Sequence, residues 1–247
     1  MCSTVVTPLL VHRVSCLDSS GTNENVGTRD ANLGPMSIGV DEVGRGAWAG
    51  PLVVGAASGD IETASQILRR RDNDGYYDSK ALSPQRRSAM AARLVDAGLV
   101  FGLGSATAHE IDAEGLTKAL SLAAGRALVD LGPQLVTGID DHQLLLDGAA
   151  NYLADAGAVM VVRGDRTHPL IAAASIAAKL ARDEWMIMLD VELPFWDFRA
   201  SKGYGSPRHR FGLSWLGPSV EHRRSFRPVS ELQFPGGGHF SSAVRTK

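Results

Sequence analysis

Three short apolar runs in this chain each lead into an aspartate: Met36 to Val40 into Asp41, Leu144 to Leu146 into Asp147, and Ala158 to Val162 into Gly164-Asp165. Runs of this length, bounded by turn-forming residues, read as buried strands rather than helices. A single aspartate after a strand is an ordinary turn former. Three of them in one chain are a different matter, because sites in open α/β sheets form beyond strand ends.

The intervening segments complete a sheet covered by helices. Pro51 to Ala57 and Leu99 to Gly104 add two strand-like runs, giving five in all. Pro84 to Ala97 reads as a helix with Ser83 as N-cap and a proline in its first turn. Ile111 to Leu131 reads as a second, with Leu116, Leu120, Ala123, Ala127 and Leu131 at helical spacing. Ile171 to Leu189 is a third, and its small side chains from Ala172 to Ala178 predict close approach of its backbone to the sheet. The alternation predicts an α/β fold, a mixed five-stranded sheet flanked by helices. Residues 1–35, without sustained periodicity and rich in Ser, Thr, Asn and Gly from Ser19, read as a flexible extension, with Met36 as an alternative start. The folded domain is expected over 36–228, followed by a tail over 229–247.

Composition narrows the partners. The net charge is −2, so bulk charge would not hold this chain to nucleic acid, and any such binding needs a local basic face. Arg199 to Arg227 offers one, with seven Lys or Arg against the single acid Glu221. The only cysteines, Cys2 and Cys16, supply neither a disulfide framework nor a thiolate zinc site, which fits a reducing cytoplasm. The apolar stretch Val5 to Val11 contains Pro8 and is too short for a bilayer, so no membrane role is expected. His109, His168, His209 and His222 lack metal-site spacing and read as surface or phosphate-contact residues. Trp185, Met188, Trp196 and Phe198 read as core.

The candidate chemistry lies with Asp41, Glu42, Asp147 and Asp165. Adjacent residues on a continuing strand face opposite sides of a sheet, so Asp41 and Glu42 are expected to share an ion only if the chain bends there, with Gly44 and Gly46 to permit it. Four converging carboxylates repel, and hard divalent cations such as Mg²⁺ or Mn²⁺ prefer all-oxygen ligands and would neutralise them. Gly44-Arg45-Gly46 offers backbone N–H groups and a cation to a phosphate or sugar hydroxyl. No Gly-Lys-Ser/Thr follows, so it is not a Walker A loop. Ser175, Lys179 and Asp183 share one helix face, where a Lys179–Asp183 ion pair is at least as plausible as catalysis.

Asp41-Glu42-Val43-Gly44-Arg45-Gly46 with Ala49-Gly50-Pro51 resembles the opening signature of the ribonuclease HII family. Asp78-Ser79-Lys80, Asp147-Gly148, Gly164-Asp165, Ile171 to Lys179 with Arg182-Asp183, Lys202-Gly203-Tyr204-Gly205 and His222 to Phe226 are similar to further family blocks, in the same order. The resemblance spans Ile38 to Pro228. It implies a ribonuclease H-like fold and an endonuclease using Mn²⁺ or Mg²⁺ that cuts RNA in RNA/DNA hybrids and beside ribonucleotides in duplex DNA. Asp41, Glu42, Asp147 and Asp165 would be the metal-site acids. Gly44, Arg45 and Gly46 would sense the ribose 2′-hydroxyl, Tyr204 would stack at the junction sugar, and Lys80 and Lys202 would touch phosphates. The chain departs from the pattern at Ala149, Ser201 and Gly115, where relatives often carry Asn, His and Asn. A monomer is expected. The rival readings are a DNA nuclease or resolvase of the same superfamily, lacking ribonucleotide dependence, and a silent hybrid-binding module.

Overall fold

The computed structural model describes residues 36–70, 75–148 and 151–231. The extension over 1–35, most of the expected tail, and Ala149 lie outside them. The five strands are β1 (Ser37–Val43), β2 (Leu52–Ser58), β3 (Val100–Ala106), β4 (Gln143–Asp147) and β5 (Val159–Val161). They form one sheet in the order β3-β2-β1-β4-β5. β1 to β3 are antiparallel neighbours, while β4 runs parallel to both β1 and β5.

Eight α-helices accompany the sheet among the described residues: α1 (Ile61–Leu68), α2 (Pro84–Asp96), α3 (Ala108–Glu114), α4 (Leu116–Leu131), α5 (Gly164–Thr167), α6 (Pro169–Glu192), α7 (Phe198–Ser201) and α8 (Pro207–Leu216). Ser83 caps α2 as expected, its hydroxyl accepting from the Arg86 N–H at 3.3 Å. The single helix expected over Ile111 to Leu131 is two. Gly115 adopts φ +81° between them, a conformation the helical spacing of the apolar residues does not reveal. α1 escapes the periodicity argument altogether. It is short and capped by Asp60, which accepts from the Thr63 N–H at 2.7 Å.

Strand parity decides which helix each side chain meets. Ile38 and Val40 of β1, with Leu144 and Leu146 of β4, point to the face covered by α4 and share a core with Leu120, Ala123, Ala127 and Leu131. On the opposite face α6 presses its backbone on the sheet. A Cβ at Gly39 would stand 2.3 Å from the Leu170 carbonyl carbon, and one at Gly55 would stand 2.4 Å from the Ala174 oxygen. The small residues Ala172 to Ala178 are thus matched by glycines across from them, giving the close approach the sequence predicts. Phe198 is fully buried with Ala49, Met186 and Leu189, and Trp185 and Trp196 pack against that cluster. Met188 is 45% exposed, which corrects its expected place in the core: it projects from the outer side of α6. No helix among the described residues is long and apolar enough to cross a membrane.

Candidate active site

Asp41 belongs to the α6 side of β1, with Gly39 and Val43 at alternate positions. It is only 7% exposed, accepts a hydrogen bond from the Ser175 side chain, and takes the Glu42 N–H at 2.8 Å. Glu42 belongs to the α4 side, where the Tyr152 hydroxyl donates to its carboxylate at 3.2 Å. The bend expected at this pair is absent. β1 stays in register with β2 through Glu42↔Val54 and Val43↔Val53, and the left-handed residue, Gly44 at φ +88°, follows only afterwards. The two acids therefore flank the strand instead of turning to one side.

Their meeting ground is where β4 stops pairing. The β1–β4 ladder ends at Val40↔Leu146, leaving Asp41, Glu42 and Asp147 at the rim. Burial pushes the Asp41 carboxyl up to about 8, and the charges of Glu42 and Asp147 add to the shift while the hydroxyl of Ser175 opposes it. Asp165 sits in α5. Its backbone N–H approaches the Asp147 carboxylate at 3.4 Å, and its own carboxyl is raised first by burial and then by Asp147 and Asp78, with Arg166 and Lys80 opposing.

The four acids are thus linked as neighbours. Among the described residues no three His, Cys, Asp or Glu side chains are drawn together closely enough to form a ready metal cage. The donor chemistry nevertheless fits a hard divalent cation. The acids offer only oxygen, and Asp41 is buried with the charges of two carboxylates, Glu42 and Asp147, pressing on it, a state that a divalent ion would relieve.

Beside the acids, two fully buried arginines, Arg182 and Arg223, tie three loops together. Arg182 donates to the carbonyls of Pro51, Lys202 and Ala49 at 2.8, 2.8 and 3.1 Å, and its guanidinium lies 5.5 Å from the Tyr204 ring centroid. Arg223 donates to the carbonyls of Arg45 and Gly50 at 3.0 and 2.9 Å. A Cβ at Gly44 would stand 2.1 Å from the Arg182 Nε, so glycine is required there by space as well as by φ. The Trp48 N–H donates to the Gly203 carbonyl at 2.8 Å. The Gly44 to Gly46 turn and the Lys202 to Tyr204 loop are in this way held as one wall, from which Arg45 and Tyr204 are exposed. Lys202 sends its Nζ to the Asp183 carbonyl at 3.3 Å. Lys80 stands apart from this wall, exposed on the side of Asp165.

Several expectations need correction. Arg223 falls within the basic face by sequence, but it is buried and spent on carbonyls. His209 and His222 are 0% and 2% exposed, not surface residues. Their Nε2 atoms lie 3.0 Å apart among Phe198, Trp196 and Trp48, and burial pulls the His222 imidazole down to about 3. The pair is a neutral piece of core under the wall. Ser201, a departure from the family pattern, accepts from the Gly203 N–H at 3.1 Å. Lys179 and Asp183 do pair, and Arg87 joins Asp183 at 2.9 Å.

Sequence reading gives no site role to Arg182 or Tyr152, and it places Ser175 on the right helix face without pairing it with Asp41. A signal exists for the first. Ala174, Ala178, Arg182 and Met186 share one helix face at steps of four, and a lone arginine on an otherwise apolar stripe must have buried acceptors.

A profile of the ribonuclease HII family matches residues 38–228. A ribonuclease HII of Synechococcus sp. (strain JA-3-3Ab) is 41% identical over 197 residues, covering 79% of this chain and 83% of the relative. The crystal structure of ribonuclease H2 from Pyrococcus horikoshii OT3 superposes with a TM-score of 0.61 at 24% identity, over 79% of this chain and 96% of that one. The structure of Bst-RNase HIII in complex with Mn²⁺ does so with a TM-score of 0.58 at 19% identity, over 86% and 75%.

Proposed function

The chain belongs to the ribonuclease HII family, and from that premise we propose that it hydrolyses the phosphodiester on the 5′ side of a ribonucleotide, leaving 3′-hydroxyl and 5′-phosphate ends. It is a ribonuclease H acting on RNA/DNA hybrids; single ribonucleotides in duplex DNA are the finer part of the proposal. The observation that carries it is the grouping of Asp41, Glu42 and Asp147 at the rim of the β1–β4 ladder, with the Gly44 to Gly46 turn directly following on β1.

Asp41, Glu42, Asp147 and Asp165 would hold Mn²⁺ or Mg²⁺. When bound, such ions supply Lewis-acid stabilisation of the phosphoryl oxygens and acidify a water. Asp41, which feels the charges of both Glu42 and Asp147, would be the ligand whose charge the ion relieves most. Ser175 fixes its carboxylate from α6, and Tyr152 fixes Glu42 from the other face of the sheet.

The wall supplies selection. Gly44 to Gly46 would present backbone N–H groups to the ribose 2′-hydroxyl, with Arg45 and Gly46 exposed at the turn. Tyr204, backed by the Arg182 guanidinium, would lie against the sugar on the far side of the junction. Lys80 and Lys202 would hold phosphates on either side. The reading includes a monomer working in a reducing cytoplasm, which the scarcity of cysteine supports.

The test is cleavage of a labelled DNA duplex bearing one ribonucleotide, against an all-DNA control, with Mg²⁺, Mn²⁺ or chelator. Metal-dependent cutting 5′ to the ribonucleotide, abolished in Asp41→Asn, is expected. Equal cutting of the control would favour a DNA nuclease, and tight binding of a hybrid without cutting would favour a binding module.

A further inference from the structure

Arg182 and the Trp48 N–H are not the only links between the two halves of the wall. The buried histidine pair beneath it is another, and its hydrogen bonds run in one direction. The Ser219 N–H can only donate, and it reaches the His222 Nδ1 at 2.9 Å, so that nitrogen carries a lone pair. The Tyr204 carbonyl can only accept, and the His209 Nδ1 stands 2.8 Å from it, so that nitrogen carries the proton. A neutral imidazole has one N–H and one acceptor nitrogen. The His222 proton is therefore on Nε2 and the His209 lone pair is on Nε2, and these are the two atoms that meet at 3.0 Å. From the Ser219 N–H through His222 and His209 to the Tyr204 carbonyl, every ring nitrogen is used.

Both ends of this chain are anchored in the wall. His222 is bridged to Ala49, and its neighbours are tied to the same segment. The Gly50 N–H donates to the Glu221 carbonyl at 2.8 Å, and the Arg223 N–H to the Trp48 carbonyl at 2.7 Å. That segment comes directly after the Gly44 to Gly46 turn. His209 sits in the first turn of α8, where the N-cap Ser206 accepts its backbone N–H at 3.1 Å. The ring of His209 thus fixes the Tyr204 main chain against the strand that leads out of the turn. Packing alone has no use for this polarity. Among Trp48, Trp196 and Phe198, two apolar rings would fill the space without the cost of burying polar nitrogens. Burial lowers both imidazoles, His222 to about 3, so the rings are neutral at neutral pH and the direction of the chain is kept.

We propose that His209 and His222 are positioning residues for ribonucleotide selection: their one-way hydrogen bond sets the place of Tyr204 relative to the Gly44 to Gly46 turn, and with it the gap that receives the junction sugar. This rests on the function proposed above, in which Tyr204 lies against that sugar. Both rings are buried and neither can touch a substrate, so their effect passes through Tyr204.

Two measurements test it. With isotope-labelled histidines, long-range proton–nitrogen correlation on the wild-type protein at neutral pH should show His209 protonated at Nδ1 and His222 at Nε2. Both rings protonated at Nε2, or exchange between tautomers, would overturn the proposal, and this readout needs neither a variant nor cleavage. The second measurement is a mutant cycle. His209→Phe leaves the His222 N–H without an acceptor and should lower the melting temperature, whereas His209→Phe combined with His222→Phe removes both polar rings and should regain most of that loss. The double variant should nonetheless cut a ribonucleotide-containing duplex with kcat/KM reduced roughly 10- to 100-fold, the order of loss that a misplaced contact remote from the chemistry brings. In a Tyr204→Ala background the same two substitutions should cost no more than about 2-fold, because the residue they act through is gone. An equal loss in both backgrounds would mean that the histidines act elsewhere, and full activity in a stable double variant would mean that they only pack; either result overturns the proposal. Failure of the wild-type protein to cut would remove the parent reading and the proposal with it, an outcome distinct from both.

Discussion

Asp41 and Arg182 both lie in the packing of α6 against the sheet, 7% and 0% exposed, and both carry ionisable groups out of water. Arg182 spends its guanidinium on three carbonyls and the face of Tyr204. Asp41 has the Ser175 hydroxyl and one backbone N–H, against two carboxylates. A buried charge is tolerated when its hydrogen-bonding capacity is filled and destabilising when it is not. The difference separates two kinds of region. The arginine side is a finished scaffold that fixes the wall, and the acid side is left poised for a ligand that completes it.

The largest expected effect follows from removing the poised charge. Asp41→Asn keeps the size and the Ser175 contact but loses the anion, and should abolish turnover while leaving the fold intact. Its melting temperature without divalent ions should rise, by roughly 2–4 °C per kcal/mol of the burial and repulsion cost relieved. Calorimetry beside the cleavage assay checks both. A drop in melting temperature would mean that Asp41 is a structural residue, and the contrast with Arg182 would collapse.

Removing the finished charge should do the reverse. Arg182→Ala strands the carbonyls of Pro51, Lys202 and Ala49 in the interior, and should cost about 3 kcal/mol or more. Urea denaturation measures it. At a temperature where the variant is folded, the loss in kcat/KM should come with poorer discrimination between ribonucleotide and all-DNA substrates, because the turn and Tyr204 lose their common brace. Full stability in this variant would show that the brace is dispensable.

A smaller effect is expected at the interface both regions share. Gly39→Ala places a methyl group against the Leu170–Ile171 peptide, and overpacking of this kind costs about 1–3 kcal/mol. Chemical denaturation should register that loss. Since Gly39 lies two residues before Asp41 on the same side of β1, activity should fall as α6 is pushed from Ser175 and Asp41, whereas Arg182 should still hold its carbonyls.

What the sequence discloses tracks how local each signal is. Asp41, Asp147 and Asp165 are legible because each closes an apolar run, and the strand runs and long helices because periodicity lies within one element. The opposite facing of Asp41 and Glu42 is also written in strand parity, yet the expectation of a bend overrides it; the pairing shows that β1 continues to Val43. Gly115 splits a helix that its apolar spacing makes look continuous, because a left-handed residue leaves the pattern on either side intact. The buried histidines stay hidden for a different reason. His209 and His222 come from α8 and a later loop, and only the tertiary packing of Phe198 and Trp196 turns them inward. Arg223 looks like surface charge because no property of one segment reveals carbonyls supplied by another.

The subtlest expectation concerns pH. In the metal-free protein Asp41 has a folded-state pKa raised from 3.8 to about 8, so as pH rises between these values the unfolded chain loses this proton first. Stability then falls with rising pH, with a limiting slope of about 1.4 kcal/mol per pH unit for one proton. The histidines act the other way. His222 is lowered from 6.5 to about 3 by burial, and His209 is lowered too, so their neutral burial makes stability rise with pH until about 6.5 and contributes no slope above it. Between about pH 6.5 and 8 Asp41 is left to dominate, and stability measured by urea titration in chelator should decline. Asp41→Asn should flatten that decline. Millimolar Mg²⁺ should flatten it in the wild type, because an ion bound to the carboxylates competes with the proton. A wild-type profile already flat over this window in chelator would mean that Asp41 is as well compensated as Arg182, leaving no electrostatic reason for these acids to recruit a cation.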